Sequence, residues 1–193
     1  MLITSHAVCA PIVDVREDGV IRIARMTYTD SEGRISIRHI MESGKNGQSV
    51  PQTLYDALFD EARGDKIFPV KILSSEPILT EFIDEEYHYG GTHLKVAFPA
   101  YVPEQYLRAV EAVDKDDPDE THGPIKMVAI EDWMREARGT VPFHIRVTRA
   151  VLVWAATNPR VCERYYGTIR YLRGFEELTD DQKNAIATYT KKW

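Results

Sequence analysis

The sequence predicts an α+β fold in which helices pack on a mixed sheet. Three observations carry that reading. Several segments alternate apolar and polar residues, as in Arg34-Ile35-Ser36-Ile37-Arg38, the pattern of a half-buried strand. Helix-spaced apolar residues with caps stand at 50–63, within 139–159 and at 177–190. The order is strands, helix, strands, helices, with no internal repeat and no low-complexity segment.

The elements follow in order. "HAVCAPIVDV" at 6–15 and "VIRIARMTY" at 20–28 read as two strands around the turn "EDG", with Ile21 and Ile23 alternating with Arg22. "DSEG" at 30–33 is a second turn, with Gly33 available for positive φ. "RISIRHIM" at 34–41 is a third strand. The loop "SGKNGQ" then leads into a helix over 50–63, marked by the capping box Ser49-x-x-Gln52, by Pro51 in the first turn and by Gly64 as a stop. "FPVKILSSEPILTEF" at 68–82 supplies one or two strands, and "IDEEYHYGGTH" at 83–93 a loop or hairpin tip with Gly90-Gly91 at its turn. "THLKVAFPAYV" at 92–102 is a strand, "YLRAVEAV" at 106–113 a short helix or irregular, and "DKDDPDETHG" at 114–123 an acidic loop. "PIKMVAIEDW" at 124–133 reads as a strand running into a turn. The helix within 139–159 has Thr140 as cap, an early Pro142, and Val147, Val151, Trp154 and Ala155 on one face; Thr179 and Gln182 cap a last short helix.

Composition narrows the function classes. The chain of 193 residues is 44% hydrophobic and 28% charged, as in soluble globular proteins. No apolar run reaches bilayer length, and "MLITSHAVCAPIVDV" lacks a basic n-region and a small-residue cleavage site, so a cytoplasmic protein without membrane contact is expected. Cys9 and Cys162 lie outside any metal spacing and show no nucleophile context, and no G-x-S-x-G is present. Net charge is −6: residues 134–193 carry 11 Lys/Arg against 6 Asp/Glu, residues 1–133 carry 13 against 24. An acidic body argues against general nucleic-acid binding. The Arg and Tyr mixture in "RYYGTIRYLRGF" at 164–175 can stack on bases, but at helical spacing it reads as packing and surface. His88 and His93 have no third ligand at zinc spacing and read as a hairpin tip or ligand-contacting loop.

The stretch "SGKNGQSVPQTLYDALFDEARG" at 43–64 concentrates the chemistry. Glycines let backbone pass close to a phosphate. A helix directly after them brings its side chains to the same place, and carboxylates at i and i+4 can meet a hard divalent cation. The stretch resembles the signature box of the Nudix superfamily, a Gly-rich loop with a Glu leading into a helix that reads Arg-Glu-aliphatic-x-Glu-Glu-x-Gly. Gly47-Gln48-Ser49 stands over Gly-Glu-Ser, and Asp56-Ala57-Leu58-Phe59-Asp60-Glu61 over Arg-Glu-aliphatic-x-Glu-Glu. The strand and loop order over roughly 5–157 resembles the same family. The departures are Gln48 for the loop Glu, Asp56 for the Arg, Ala57 for the first helix Glu, and Arg63 where the family has its final Gly.

The resemblance implies a Nudix-like α/β/α sandwich over 1–157, with 158–193 a helical extension packed on it. It implies a nucleotide or nucleotide-sugar ligand between the helix 50–63 and the sheet, with hydrolysis weak or lost in a sensor or regulatory role. Gly44, Lys45 and Gly47 would approach the phosphates and Arg25 or Arg38 would neutralise them. Asp60 and Glu61 would hold one Mg²⁺ or Mn²⁺, and Glu61 with Glu120 or Asp119 would carry any remaining catalysis. The alternatives are a divergent Mg²⁺-dependent diphosphatase, and a protein or nucleic-acid adaptor on the same scaffold. By analogy with the family, a homodimer is an open expectation.

Overall fold

The computed structural model describes residues 3–15, 20–45, 47–58, 70–85, 91–107, 112–113, 120–137 and 140–157. Strand β1 (Ile3–Ala10) lies between β5 (Ile40–Ser43), antiparallel to it, and β8 (Gly91–Ala97), parallel to it. β7 (Leu79–Glu85) pairs antiparallel with β8, giving a mixed sheet in the order β5-β1-β8-β7. A parallel β1–β8 pair needs a long crossover, and the segment between β5 and β8 supplies it with helix α1 (Val50–Asp56).

The second sheet is antiparallel and centred on β3 (Ile21–Thr29). β2 (Val13–Val15), β4 (Ile35–Arg38), β11 (Thr121–His122) and β12 (Lys126–Ala129) all pair with β3, and β10 (Ala112–Val113) pairs with β11. β6 (Lys71–Ile72) and β9 (Ala100–Tyr101) form a separate two-stranded ladder. A short 3-10 helix (Glu104–Tyr106) and helices α2 (Ile130–Glu136) and α3 (Pro142–Thr157) complete the elements among the described residues.

The period of two along β3 sorts its side chains between two cores. Ile21 and Ile23 join Trp133 of α2 with Val151, Leu152 and Ala155 of α3. Ala24 and Met26 join Leu54 of α1 together with Ala57 and Leu58 just beyond it. Along β1, Cys9 meets Phe143 and Val147 of α3, while Val8 and Ala10 face the α1 side. Helices therefore cover both sheet faces, as expected of an α/β/α sandwich.

Local signals are honoured where the geometry is local. Gly33 sits at φ +75° in its turn, where the Asp30 carboxylate accepts from the N–H groups of Glu32 and Arg34. Ser49 caps α1, and both halves of the Ser49–Gln52 box are made. Four expectations are corrected. The strand expected over 34–41 is two strands: β4 belongs to the β3 sheet and β5 to the β1 sheet, with the change of sheet at His39. The segment 83–93, expected as a loop or hairpin tip, is strand up to Glu85 and again from Gly91, which pair directly, and 86–90 lie outside the described residues. The turn expected at the end of 124–133 is helix α2, whose Ile130, Trp133 and Met134 are buried at spacings of three and four. The hydroxyl of Thr140 donates to the Ile37 carbonyl at 3.0 Å, pinning the start of α3 to β4. The strand expected over 92–102 pauses at Phe98 and Pro99, where the ladder moves from β8 to β9. Residues 158–193, with their expected helix and Cys162, lie outside the described residues.

Candidate functional site

The loop and helix at 43–58 are fastened from three sides. Gly44 donates its N–H to the His6 carbonyl at 2.8 Å, and its Cα faces the His6 imidazole so closely that a Cβ would meet ring atoms at 2.2–2.8 Å. Glycine is required there by space. At Gly47, with φ +81° and nothing within 4 Å of a Cβ position, it is required by backbone conformation. Between them, Gln48 N–H donates to the Lys45 carbonyl at 2.9 Å, and Lys45 N–H donates to Gln48 Oε1 at 2.8 Å. The Lys45 side chain is exposed.

Gln48 also reaches the helix. Its Nε2 lies 2.5 Å from Asp56 Oδ2, so an amide on the loop donates to a carboxylate two turns into the chain that follows. The next residue, Ala57, is 0% exposed and packs in the apolar core beneath α1. From below, Thr53 Oγ1 donates to the Ser49 carbonyl at 3.2 Å and accepts from His6 Nε2 at 2.8 Å. His6 thus ties β1 to both the loop and the helix. On the outer side of α1 a cleft of about 410 Å³ is lined by Gln48, Pro51, Gln52, Tyr55 and Asp56.

The two arginines singled out from the sequence part company. Arg38 lies on the α1 face of β4, opposite Met26, with its guanidinium 3.3 Å from the centroid of Tyr28 and its Nε donating to Ser36 Oγ at 3.3 Å. Partial burial holds its pKa below the usual arginine value. Arg25 projects to the other face, where its guanidinium pairs with Glu136 at the end of α2. Gly44, Lys45 and Gly47 are brought together; Arg25 is not among them. Glu120 is half-buried and directly precedes β11, the strand that pairs with β3 at Tyr28 and Thr29. Asp60, Glu61 and Asp119 lie outside the described residues.

Among the described residues no three His, Cys, Asp or Glu side chains gather at one point. Within the box, Asp56 is committed to Gln48 and Ala57 carries no donor, so the described part of the box does not fit Mg²⁺, which demands oxygen ligands in near-octahedral array. His93 is not exposed for a metal either: it is 3% exposed, with Nδ1 2.7 Å from Ser5 Oγ.

Behind the loop, a buried polar group escaped the sequence reading. His39, at the change of sheet, stacks on Trp133 with ring centroids 4.5 Å apart and 4° between planes. Its N–H donates to His144 Nδ1 at 3.3 Å. Thr148 Oγ1 donates to the His144 carbonyl at 3.1 Å, so it accepts from His39 Nε2 at 2.7 Å. That fixes His39 as the Nε2–H tautomer and leaves its Nδ1, like Trp133 Nε1, buried without a partner among the described residues. Burial pushes the His39 pKa down to about 3. Burial, with His39, Arg38 and Lys95 nearby, holds His144 well below the usual range. The i, i+4 spacing of His144 and Thr148 on one helix face was the readable signal.

No protein-family model matches the chain, and no curated protein matches it. Solved structures do. A NUDIX hydrolase from Nitrosomonas europaea aligns over 91% of this chain and 95% of its own, at 15% identity and a TM-score of 0.47. A structure described as a possible asymmetric diadenosine tetraphosphate hydrolase from Jonesia denitrificans aligns over 86% and 98%, at 14% identity and a TM-score of 0.46. The NUDIX domain of Shewanella oneidensis NrtR, solved with ADP ribose, aligns over 78% and 88%, at 12% identity and a TM-score of 0.47. Scores and identities of this size assign no ligand or reaction to the chain. Among the described residues, no helix is long and apolar enough to cross a membrane.

Proposed function

We propose that this chain binds a nucleotide or nucleoside-diphosphate derivative at the loop and helix 43–64, and hydrolyses it weakly or not at all, in a sensor or regulatory role. The observation that most supports this is the Gln48–Asp56 hydrogen bond standing next to a sealed Ala57. In the box that the stretch resembles, the loop carries a Glu and the helix an Arg followed by a Glu. Here donor and acceptor have changed sides: the loop amide donates and the helix carboxylate accepts. The fastening of loop to helix is kept while a methyl group replaces the carboxylate at 57.

The remaining residues are suited to holding rather than reacting. Gly44 and Gly47 keep the backbone low, and the exposed Lys45 ammonium offers a point charge to phosphate. Arg38 stands on the same sheet face as α1. Asp60 and Glu61 are the carboxylates left for Mg²⁺ or Mn²⁺, whose part would be to screen the charge of a diphosphate. Glu120 or Asp119 is left as a base.

The test is a thermal-shift and turnover panel of nucleoside diphosphate derivatives with Mg²⁺ or Mn²⁺. The expected result is stabilisation by one ligand class with little or no product. Robust turnover abolished by Glu61→Gln would make the chain a divergent metal-dependent diphosphatase. Neither stabilisation nor turnover would leave the scaffold as a protein or nucleic-acid adaptor.

A further inference from the structure

Helix α1 has two sides of different use. Thr53 and Leu54 are buried against the body of the protein. Pro51, Gln52, Tyr55 and Asp56 face the other way and, with Gln48, line the cleft on its outer side. Tyr55 is the aromatic member of that lining, and it stands 58% exposed. Pro51, one turn before it, extends the apolar surface of the same wall.

The polar atoms of the cleft are sorted by what the helix already uses. Gln52 spends its Oε1 on the N–H and the hydroxyl of Ser49, at 2.9 and 3.0 Å. Its Nε2 makes no hydrogen bond among the described residues. Asp56 spends Oδ2 on Gln48, and its Oδ1 is likewise uncommitted among the described residues. The cleft thus holds a ring face, a donor and an acceptor. Every nucleobase has an aromatic face and carries a donor beside an acceptor on its Watson–Crick edge, so this set suits a base without choosing among bases.

Charge decides which end of a nucleotide enters. The Asp56 carboxylate on the cleft wall repels a diphosphate and tolerates a neutral base. Lys45 carries the opposite charge and lies next door. Its N–H donates to Gln48 Oε1 at 2.8 Å, and Gln48 is itself part of the cleft wall. One side chain therefore joins the glycine loop to the cleft, and the two ends of one ligand can occupy adjoining places.

We infer that Tyr55 stacks on the base of the bound nucleotide in the cleft outside α1, with Gln52 and Asp56 at the base's edge and the phosphates towards Lys45. The inference rests on the reading of 43–64 as a nucleotide site, and it adds where the base lies and what holds it.

Isothermal titration with ADP, GDP, CDP, UDP and inorganic pyrophosphate in one Mg²⁺ buffer tests it. In the unaltered chain at least one nucleoside diphosphate should bind about tenfold or more tighter than pyrophosphate, the usual scale of one base stacked on one aromatic ring. Tyr55→Ala should remove most of that advantage and leave pyrophosphate binding unchanged. Tyr55→Phe keeps the ring and should keep the advantage. Since the side chain stands outside the core, both variants should melt with the unaltered protein. Nucleotide binding that Tyr55→Ala leaves unchanged overturns the inference while the proposed function stands. Equal affinity for pyrophosphate and all four nucleotides does the same. Binding of none of the five overturns the proposed function itself, and the inference with it.

Discussion

If Gln48 and Asp56 are a fastening with its polarity reversed, the pair can be turned round. Gln48→Glu replaces the donor of a 2.5 Å bond by an acceptor and sets two carboxylates against each other. Losing a hydrogen bond to a charged group costs about 1.5–3 kcal/mol. Two like charges that relax to ~5 Å repel by about 1–3 kcal/mol for effective dielectrics between ~80 and ~20. Both residues are only half-buried, so the lower ends apply and the single change should cost about 2–3 kcal/mol. Asp56→Arg alone faces a guanidinium with an amide N–H and should cost about 1–2 kcal/mol. Together the two changes place Glu against Arg and should recover most of the loss, a coupling of about 2–3 kcal/mol. Urea denaturation of the four proteins reads the cycle, and at this chain length ~1 kcal/mol moves the melting temperature by about 2–4 °C. Additive costs, with coupling under about 0.5 kcal/mol, would show that loop and helix are not held by this pair, and the basis of the proposed function would fall with it.

Three further outcomes follow from the same geometry. Ala57→Glu puts a carboxylate into a fully buried site and should destabilise the fold by at least ~3 kcal/mol without bringing turnover, checked by denaturation and product assay. Gly44→Ala drives a methyl into the His6 ring and should cost about 1–3 kcal/mol and weaken ligand binding, measured by thermal shift; an unchanged melting temperature refutes the close approach. Stability should fall as pH drops. The folded pKa of His39 is depressed to about 3 and that of His144 also lies below its unfolded value near ~6.5, so the unfolded chain binds more protons between those limits. Stability is complete above ~6.5 and is lost on acidification at up to about 1.4 kcal/mol per pH unit per histidine. Melts from pH 7.5 to 4.5 check this, and His39→Gln should flatten the slope.

What could be read from the sequence was what neighbours within four residues decide. Ser49, Gln52 and Pro51 start α1 whatever surrounds them, and Gly33 and Asp30 make their turn alone. Strand alternation placed Ile21, Ile23, Leu94 and Val96 correctly because burial on one face has a period of two. The alternation of Ile35 and Ile37 slips by one residue at His39, where Arg38 and His39 are followed by Ile40 and Met41, but a slip alone does not say that the two halves join different sheets. Helix α2 was hidden for another reason: its N-cap is Ala129, which makes no side-chain cap, so the start signal is missing although Ile130, Trp133 and Met134 carry the spacing. At the site, Gly44, Gly47 and Gln48 were legible as a loop. That His6, some 40 residues earlier, closes it from below depends on the β1–β5 register and could not be read locally.

The break at His39 has a consequence for how damage to this protein will look from outside. Having left one ladder for the other, His39 entrusts its backbone N–H to a side chain of α3, and only β5 separates it from the glycine loop. A screen that scores positions by lost ligand binding should therefore return His144 and Thr148 beside the loop residues, although neither lines the cleft at α1. Their signature is a rise in unfolded fraction alongside the loss of affinity. If Lys45 is the contact proposed above, its variants should lose affinity with the fold intact, and the two kinds of position are separated by measuring stability and binding on the same variants.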